Sequence, residues 1–465
     1  MVYIFDVEKF KKNFKVDESK GANERRLTHS QEMGIKIFPN KATPNASPVK
    51  DMKDVIGGFF RNAMNIGHIK IDCDELCEAI IKEVNAKKED KGTISEMVSG
   101  LFFRERKFFT SNLALYPYQE PNNQKESDEL AYYLFCVLAD QDKVRNIINS
   151  RKINELNVLE TIVDKYAESK QGTIRNNEEK YIPIYTGMRE LFIKDLYYLL
   201  NQDMNSEEDL SNLFSLYYFQ YYVQSTLILD KFCSGDPNEK VELYFALDWE
   251  RVSRNRKCCT DGWNKVKMNL SHCFAHKTTL GILNNHEGQE KLSYLDFNSI
   301  ANQNDEVDRA LASEIERAEQ TYTTYIGDYK DFSKIEKTAG INETEIAIKH
   351  LFECVEQQFI NTDRKRAREF FNDKFVAFCK DRWTKDRKKS GVVLNLTERD
   401  VIFLTNLSIG ENERIRLNDM FKEYEKRGVY LDRTSKEILQ DFFAKLNILD
   451  KKSDSGDAQY VRRIL

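Results

Sequence analysis

The sequence predicts a mainly α fold, a multi-helix body followed by a winged helix-turn-helix over residues 391–465. Three observations carry that reading. From Cys73 onward apolar residues recur with a period near 3.6, stripe after stripe. Thr397-Glu398-Arg399-Asp400 has the Ser/Thr-x-x-acid form of a helix-start box, in which two side chains satisfy backbone N–H groups that no preceding turn can reach. The chain then closes on Ile448 and Leu449, a polar Ser453-Asp454-Ser455-Gly456-Asp457 turn and the alternating Tyr460-Val461-Arg462-Arg463-Ile464, the pattern of a β-hairpin.

Taken in order, residues 1–70 read as an irregular, mixed segment. The polar, Pro-containing stretch 38–48 is a loop, and Gly57-Gly58 is a turn entering packed structure. Residues 71–235 read as an α-helical domain. Its first stripes are Leu130, Tyr133, Leu134, Val137 and Leu138, then Ile153, Leu156, Leu159, Ile162 and Val163, then Met188, Leu191, Phe192, Leu196 and Leu199. The stretch 210–232 is apolar on nearly every side, with six aromatics (Phe214, Tyr217, Tyr218, Phe219, Tyr221, Tyr222) in nine positions. Gln220 and Gln224 interrupt it, which favours a central helix over a membrane span. A base-stacking platform is the other reading, although such platforms interleave aromatics with Lys or Arg and none occurs between Leu210 and Asp230.

Ser234-Gly235-Asp236-Pro237 is the clearest break. Residues 236–390 then read as a second, mostly α-helical region with basic patches. Val241 to Leu247 is either a strand or a buried helical turn, helix returns over 303–324 and 342–384, and Lys385 to Gly391 is a charged hinge. In the last domain Val401, Ile402, Leu404 and Leu407 face inward on one helix, and Phe421 and Tyr424 on a second that starts at Leu417. Gly428 supplies a left-handed cap. Asp432 or Thr434 caps a third helix, whose Ile438, Leu439, Phe442, Phe443 and Leu446 form a wide apolar face.

At 465 residues the chain has room for two to four domains, and 32% charged residues make it a water-facing globule. Its net charge of −5 means that any DNA contact comes from local patches or partners. No apolar run approaches the roughly 18 residues of a membrane span, and Val2-Tyr3-Ile4-Phe5 is too short for a leader core. The expected location is the cytoplasm, with no membrane partner. Nine scattered cysteines (73, 77, 136, 233, 258, 259, 273, 354, 379) argue for buried thiols rather than a disulfide scaffold.

No phosphate loop, dinucleotide fingerprint or His-Glu-x-x-His motif is present, and no cofactor is expected. Asp248, Glu250 and Lys257 admit a metal-dependent nuclease reading, against surface ion pairs. Cys258, Cys259, Cys273 and His276 supply metal-ligand types, but adjacent cysteines serve one tetrahedral ion poorly and no Cys-x-x-Cys knuckle precedes them. The basic patches say more. Residues 251–267 hold six basic groups (Arg251, Arg254, Arg256, Lys257, Lys265, Lys267) against one acid, a net of +5, flanked by Trp249 and Trp263. Residues 363–390 hold eleven against five, a net of +6, including Arg364, Lys365, Arg366, Arg368, Arg387, Lys388 and Lys389. Such local excess is what phosphate binding requires; a solvated helix face is the plainer alternative. Residues 394–465 carry thirteen basic and thirteen acidic residues. Arg433, Lys436, Gln440 and Lys445 would face outward on a recognition helix, with Lys451, Lys452, Arg462 and Arg463 on the wing. Glu437 and Asp441 share that surface and repel phosphate, so a protein-docking role stands beside a base-reading one. Asp454, Gly456, Asp457 and Tyr460 are its candidate docking residues, with a self-bonded hairpin turn as the alternative.

The run RGVYLDRTSKEILQDFFAKLNILDKKSDSGDAQYVRRIL, above all SDSGDAQYV, resembles the C-terminus of the DptG (DndG) family, the G component of bacterial DNA phosphorothioation-dependent restriction systems. The likeness covers roughly the last forty residues. It implies an accessory, non-catalytic subunit in phage defence. Such a subunit works with ATPase-like F and H components on double-stranded DNA that lacks the sulfur modification. A metal-dependent nuclease subunit and a winged-helix transcriptional regulator are the alternatives.

Overall fold

The aromatic run becomes the centre of the core. In the computed structural model, which describes residues 3–29, 34–40, 49, 52–85, 87, 89–121, 124–170, 180–201, 207–451 and 459–463, Glu207–Leu229 is one helix and every residue from Leu213 to Leu229 is buried. Three of its tyrosine hydroxyls are satisfied inside the protein: Tyr217 donates to Asp195 at 2.8 Å, Tyr222 donates to Asn372 at 2.7 Å, and Tyr221 accepts the Ile184 N–H at 3.0 Å. Its rings pack on Phe59, Phe192 and Phe375. No face is left for a nucleobase, so the stacking-platform reading is set aside. Among the described residues no helix is long and apolar enough to cross a membrane.

The chain is mainly helical, and one apolar core runs from Tyr3 to Val461. A smaller cluster gathers Leu76, Ile80, Phe108 and Val163. Two local expectations change. Gly57 and Gly58 lie inside the Lys53–Met64 helix, where a Cβ would meet the Tyr116 carbonyl at 2.8 Å and the Ala131 methyl at 2.7 Å. Gly57 lets this helix approach the Leu113–Tyr118 turn and Gly58 the Gln124–Leu138 helix; they are not a turn themselves. The stripe from Ile153 to Val163 spans two helices, Gln141–Glu155 and Val158–Ser169, because Asn157 and Glu160 form a capping box between them.

A four-stranded mixed sheet sits among the helices, and within Val241 to Leu247 it takes the last four residues as strand. Tyr244–Leu247 is central, parallel to Val392–Leu396 (Phe245 opposite Leu394) and to Tyr430–Leu431 (Phe245 opposite Leu431). Thr384–Asp386 adds antiparallel to the outer side of Val392–Leu396. The stretch expected to be a hinge is therefore a tight hairpin turn: Arg387 N–H bonds the Gly391 carbonyl at 2.8 Å, with Lys388 and Gly391 at φ +53° and +81°. Two backbone ladders outweigh the charge pattern that suggested a linker.

Toward the C-terminus come the helix Glu398–Ile409, the strand Arg414–Arg416, and the helices Leu417–Lys426 and Arg433–Lys445. The strands Leu449–Lys451 and Gln459–Arg462 follow, with Gln459–Arg462 in the middle of a three-stranded antiparallel sheet. The Thr397–Asp400 capping box is present, Asp432 caps the third helix by accepting Ser435 N–H at 3.0 Å, and Gly428 is left-handed at φ +79°. Leu439 and Phe443 are buried, whereas Leu446 is exposed. The Arg427 guanidinium joins this region to the body, bonding Asp195 at 2.6 and 2.8 Å with both side chains almost wholly buried. Lys452, Asp454, Gly456 and Asp457, and the side chain of Lys451, lie outside the described residues.

Candidate nucleic-acid interface

The 251–257 and 387–390 segments, 130 residues apart and more in sequence, meet at one surface because the central strand and the outer hairpin share a sheet. As the chain leaves Tyr244–Leu247 it makes a short loop, and Glu250 turns inward with its side chain fully buried. Leu247 N–H donates to that carboxylate at 2.8 Å and Ser435 Oγ donates at 3.0 Å. Arg256 closes the arrangement, giving one nitrogen to Glu250 at 3.1 Å and two to Asp432 at 2.9 and 2.5 Å. The loop is thus stapled to the N-terminus of the Arg433–Lys445 helix. Burial pushes the Asp432 carboxyl up, but Arg256 and the Ser435 N–H more than reverse this and hold it below 3.8. Trp249 packs on Phe442 with ring centroids 4.8 Å apart.

The hairpin turn is fastened to the same loop from the other side. Arg387 donates to the Leu247, Asp248 and Glu250 carbonyls and to Asn395 Oδ1. Ser390 Oγ donates to the Val252 carbonyl at 2.7 Å, and Arg254 Nε donates to the Lys389 carbonyl. These internal bonds leave Arg251, Arg254, Lys257, Lys388 and Lys389 exposed around one junction, with Arg433 exposed at the helix start beside it. Lys257 lies over the Tyr244 ring and donates to its hydroxyl at 3.0 Å. Lys267 is exposed and Lys265 half-buried on the following Trp263–Leu270 helix.

The 364–368 run is used differently. Arg364 is buried, donating to Asp328 at 2.7 Å, to His29 Nδ1 at 2.9 Å and to the Ile326 carbonyl at 3.3 Å. Arg368 forks onto Glu356. Only Lys365 and Arg366 of that run are exposed. On the third C-terminal helix Arg433 pairs with Glu437 at 2.8 Å and Lys436 with Glu425 at 2.9 Å, beside a groove lined by Leu417, Phe421, Leu431 and Gln440. Tyr460 is half-buried under Arg414 and Arg416.

The other sequence candidates are not assembled. Asp248 pairs with Lys385, Glu250 faces Arg256 and Ser435, and Lys257 faces Tyr244, so these three groups do not converge. Cys258 and Cys259 pack against Ala246 and Val393, while Cys273 is buried in the main core and His276 bonds Asp230 at 2.7 Å and Tyr294 at 3.0 Å. Neither set forms a metal-ligand grouping among the described residues. What sequence reasoning missed is the tie between Glu250, Arg256 and Asp432; the Asp cap was legible, its partner 176 positions away was not. No protein-family model matches the chain, and no curated protein does.

Proposed function

We propose that this chain is a non-catalytic, DNA-associated subunit of a phosphorothioation-dependent restriction complex, acting in phage defence with ATPase-like F and H components on unmodified double-stranded DNA. The system comes from the resemblance of the last forty or so residues. The physical support is one observation: two basic segments remote in sequence form a single cationic surface in a chain of net charge −5. Exposed cations on rigid, internally bonded loops are suited to tracking phosphates, which carry no sequence information.

We read the C-terminal helices and three-stranded sheet as a winged helix-turn-helix, because, once the short strand Tyr430–Leu431 given to the other sheet is set apart, the order helix, strand, helix, helix, strand, strand with the last strand central is the order of that motif. Its Arg433 and Lys436 are already engaged by acids, and its groove is part apolar. It therefore serves as the docking surface for a partner subunit, while the loops hold DNA. The transcriptional-regulator reading needs a recognition helix freer of acidic neighbours than this one.

The test is duplex binding by the purified chain over a range of salt. Affinity falls steeply with salt, and changing Arg251, Arg254, Lys257, Lys388 and Lys389 to Gln lowers the log–log slope by about 0.9 for each phosphate that is no longer neutralised. An unchanged slope removes this surface from the reading. Co-purification with neighbouring ATPase-like proteins, abolished by Gln440→Glu with Arg433→Glu at the groove, tests the docking half.

A further inference from the structure

The helices Asp305–Ile326 and Glu343–Ile360 bring together three groups that the nucleic-acid surface does not use. Glu319 stands on the first helix, and His350 and Cys354, one turn apart on one face, stand on the second. A carboxylate oxygen of Glu319, Nδ1 of His350 and Sγ of Cys354 all lie within 4.8 Å of one another. Cys354 is wholly buried, whereas Glu319 and His350 keep side-chain exposures of 17% and 12%, enough for water to reach the cluster from one side.

The hydrogen bonds of His350 restrict what the cluster holds. Its Nε2 is 3.1 Å from the Ile335 carbonyl, which only accepts, so Nε2 carries the hydrogen. In the neutral ring Nδ1 then presents a lone pair, and it faces a Glu319 oxygen at 2.7 Å. Two lone pairs at that distance repel unless a cation lies between them. At 2.7 Å that cation is a proton, which a divalent ion can replace once the contact widens. The sulfur as third neighbour points to such an exchange, since a thiol adds little to an imidazolium–carboxylate pair but completes a borderline-soft N, O, S donor set. A ring N–H held by a backbone carbonyl is also the outer contact that fixes the tautomer of metal-bound histidines.

We propose that Glu319, His350 and Cys354 bind a zinc-class divalent cation that clamps the two helices together, with water in the fourth position. Bond lengths of about 2.0 Å to nitrogen and oxygen set two tetrahedral donors roughly 3.3 Å apart, so binding widens the 2.7 Å contact between Glu319 and His350 by a few tenths of an ångström. Metal entry displaces the thiol proton to solvent as the Sγ–metal bond forms.

The experiment uses the full chain, stripped with a chelator and titrated with cobalt(II) as a spectroscopic stand-in. One equivalent binds with a thiolate-to-cobalt absorption in the near ultraviolet, zinc displaces it, and a proton is released in weakly buffered solution. Cys354→Ser abolishes the band, His350→Gln weakens binding by about tenfold or more, and Cys73→Ser, on another helix, leaves both unchanged. Should Cys354→Ser fail to fold by circular dichroism, Glu319→Gln at the more open edge reads the same weakening. A wild-type chain with no thiolate band, or a band that survives Cys354→Ser, overturns the proposal and leaves an imidazolium–carboxylate pair. None of these readouts involves DNA, so failure here and failure of the functional reading are separate results.

Discussion

Residues 251–257 and 364–368 each carry four cations, and along the sequence they look like equivalent phosphate-binding runs. Folding separates them. In the first, one guanidinium, Arg256, is taken up by Glu250 and Asp432, and its bonds hold the loop so that Arg251, Arg254 and Lys257 face water. In the second, Arg364 and Arg368 are internal ties, one buried against Asp328 and His29 and the other forked on Glu356. A charge count measures potential partners for phosphate only after the internal carboxylates have taken their share. A cation that meets an acid inside the protein is a structural element with no further grip to offer.

That contrast is open to attack at several strengths. Arg364→Ala leaves a carboxylate and a buried imidazole without their donor, and we expect a loss of about 3 kcal/mol in denaturant unfolding with the salt slope of DNA binding unchanged. If stability holds and DNA affinity falls instead, the two runs have been assigned the wrong way round. Arg256→Ala strands the buried Glu250 charge and costs about 2 kcal/mol. Adding Glu250→Gln returns part of it, and full additivity in that double-mutant cycle shows that the pair is not coupled.

Acid titration separates the two regions differently. Burial, then Arg364 and Arg25, hold His29 well below its ordinary 6.5. The unfolded chain therefore takes up a proton that the folded chain refuses. Stability is present above pH 6.5 and declines as pH falls beneath it, by at most about 1.4 kcal/mol per pH unit for one proton. His29→Gln makes this limb shallower, and His276 and His286, which burial also holds below 6.5, supply the rest. Asp432, held below 3.8, contributes stability above that value and loses it only as the pH drops through its still lower folded pKa. Melting curves from about pH 8 to 3 that show no limb near 6 in the wild type would remove the His29 argument. The smallest change in stability belongs to the Gln variant of exposed Arg251, Lys388 and Lys389, within about 0.5 kcal/mol of wild type. A larger loss means that those side chains support the fold rather than await a ligand.

Much of the C-terminal region was legible, since helix ends are written within four residues. Thr397 with Asp400, Asp432 with Ser435, and Gly428 each satisfy backbone groups of their own turn. The central aromatic helix was legible because so many adjacent large apolar side chains have nowhere to go but the core. The mixed sheet was not, because its strands are two to five residues long and come from positions near 244, 384, 392 and 430. Gly57-Gly58 misled for a related reason: a glycine pair reads as a chain break until another helix is seen pressed against it.

The sequence by itself determined where helices start and stop, which faces are apolar, and that cations are concentrated in two stretches of an otherwise acidic chain. These properties depend on neighbours within a turn or two of one another. Tertiary structure alone decided which of those cations reach solvent and which meet Glu250, Asp328, Glu356 or Asp432. Arg256 with Asp432 and Arg364 with Asp328 join residues 176 and 36 positions apart, and no local pattern records which acid a buried guanidinium will find.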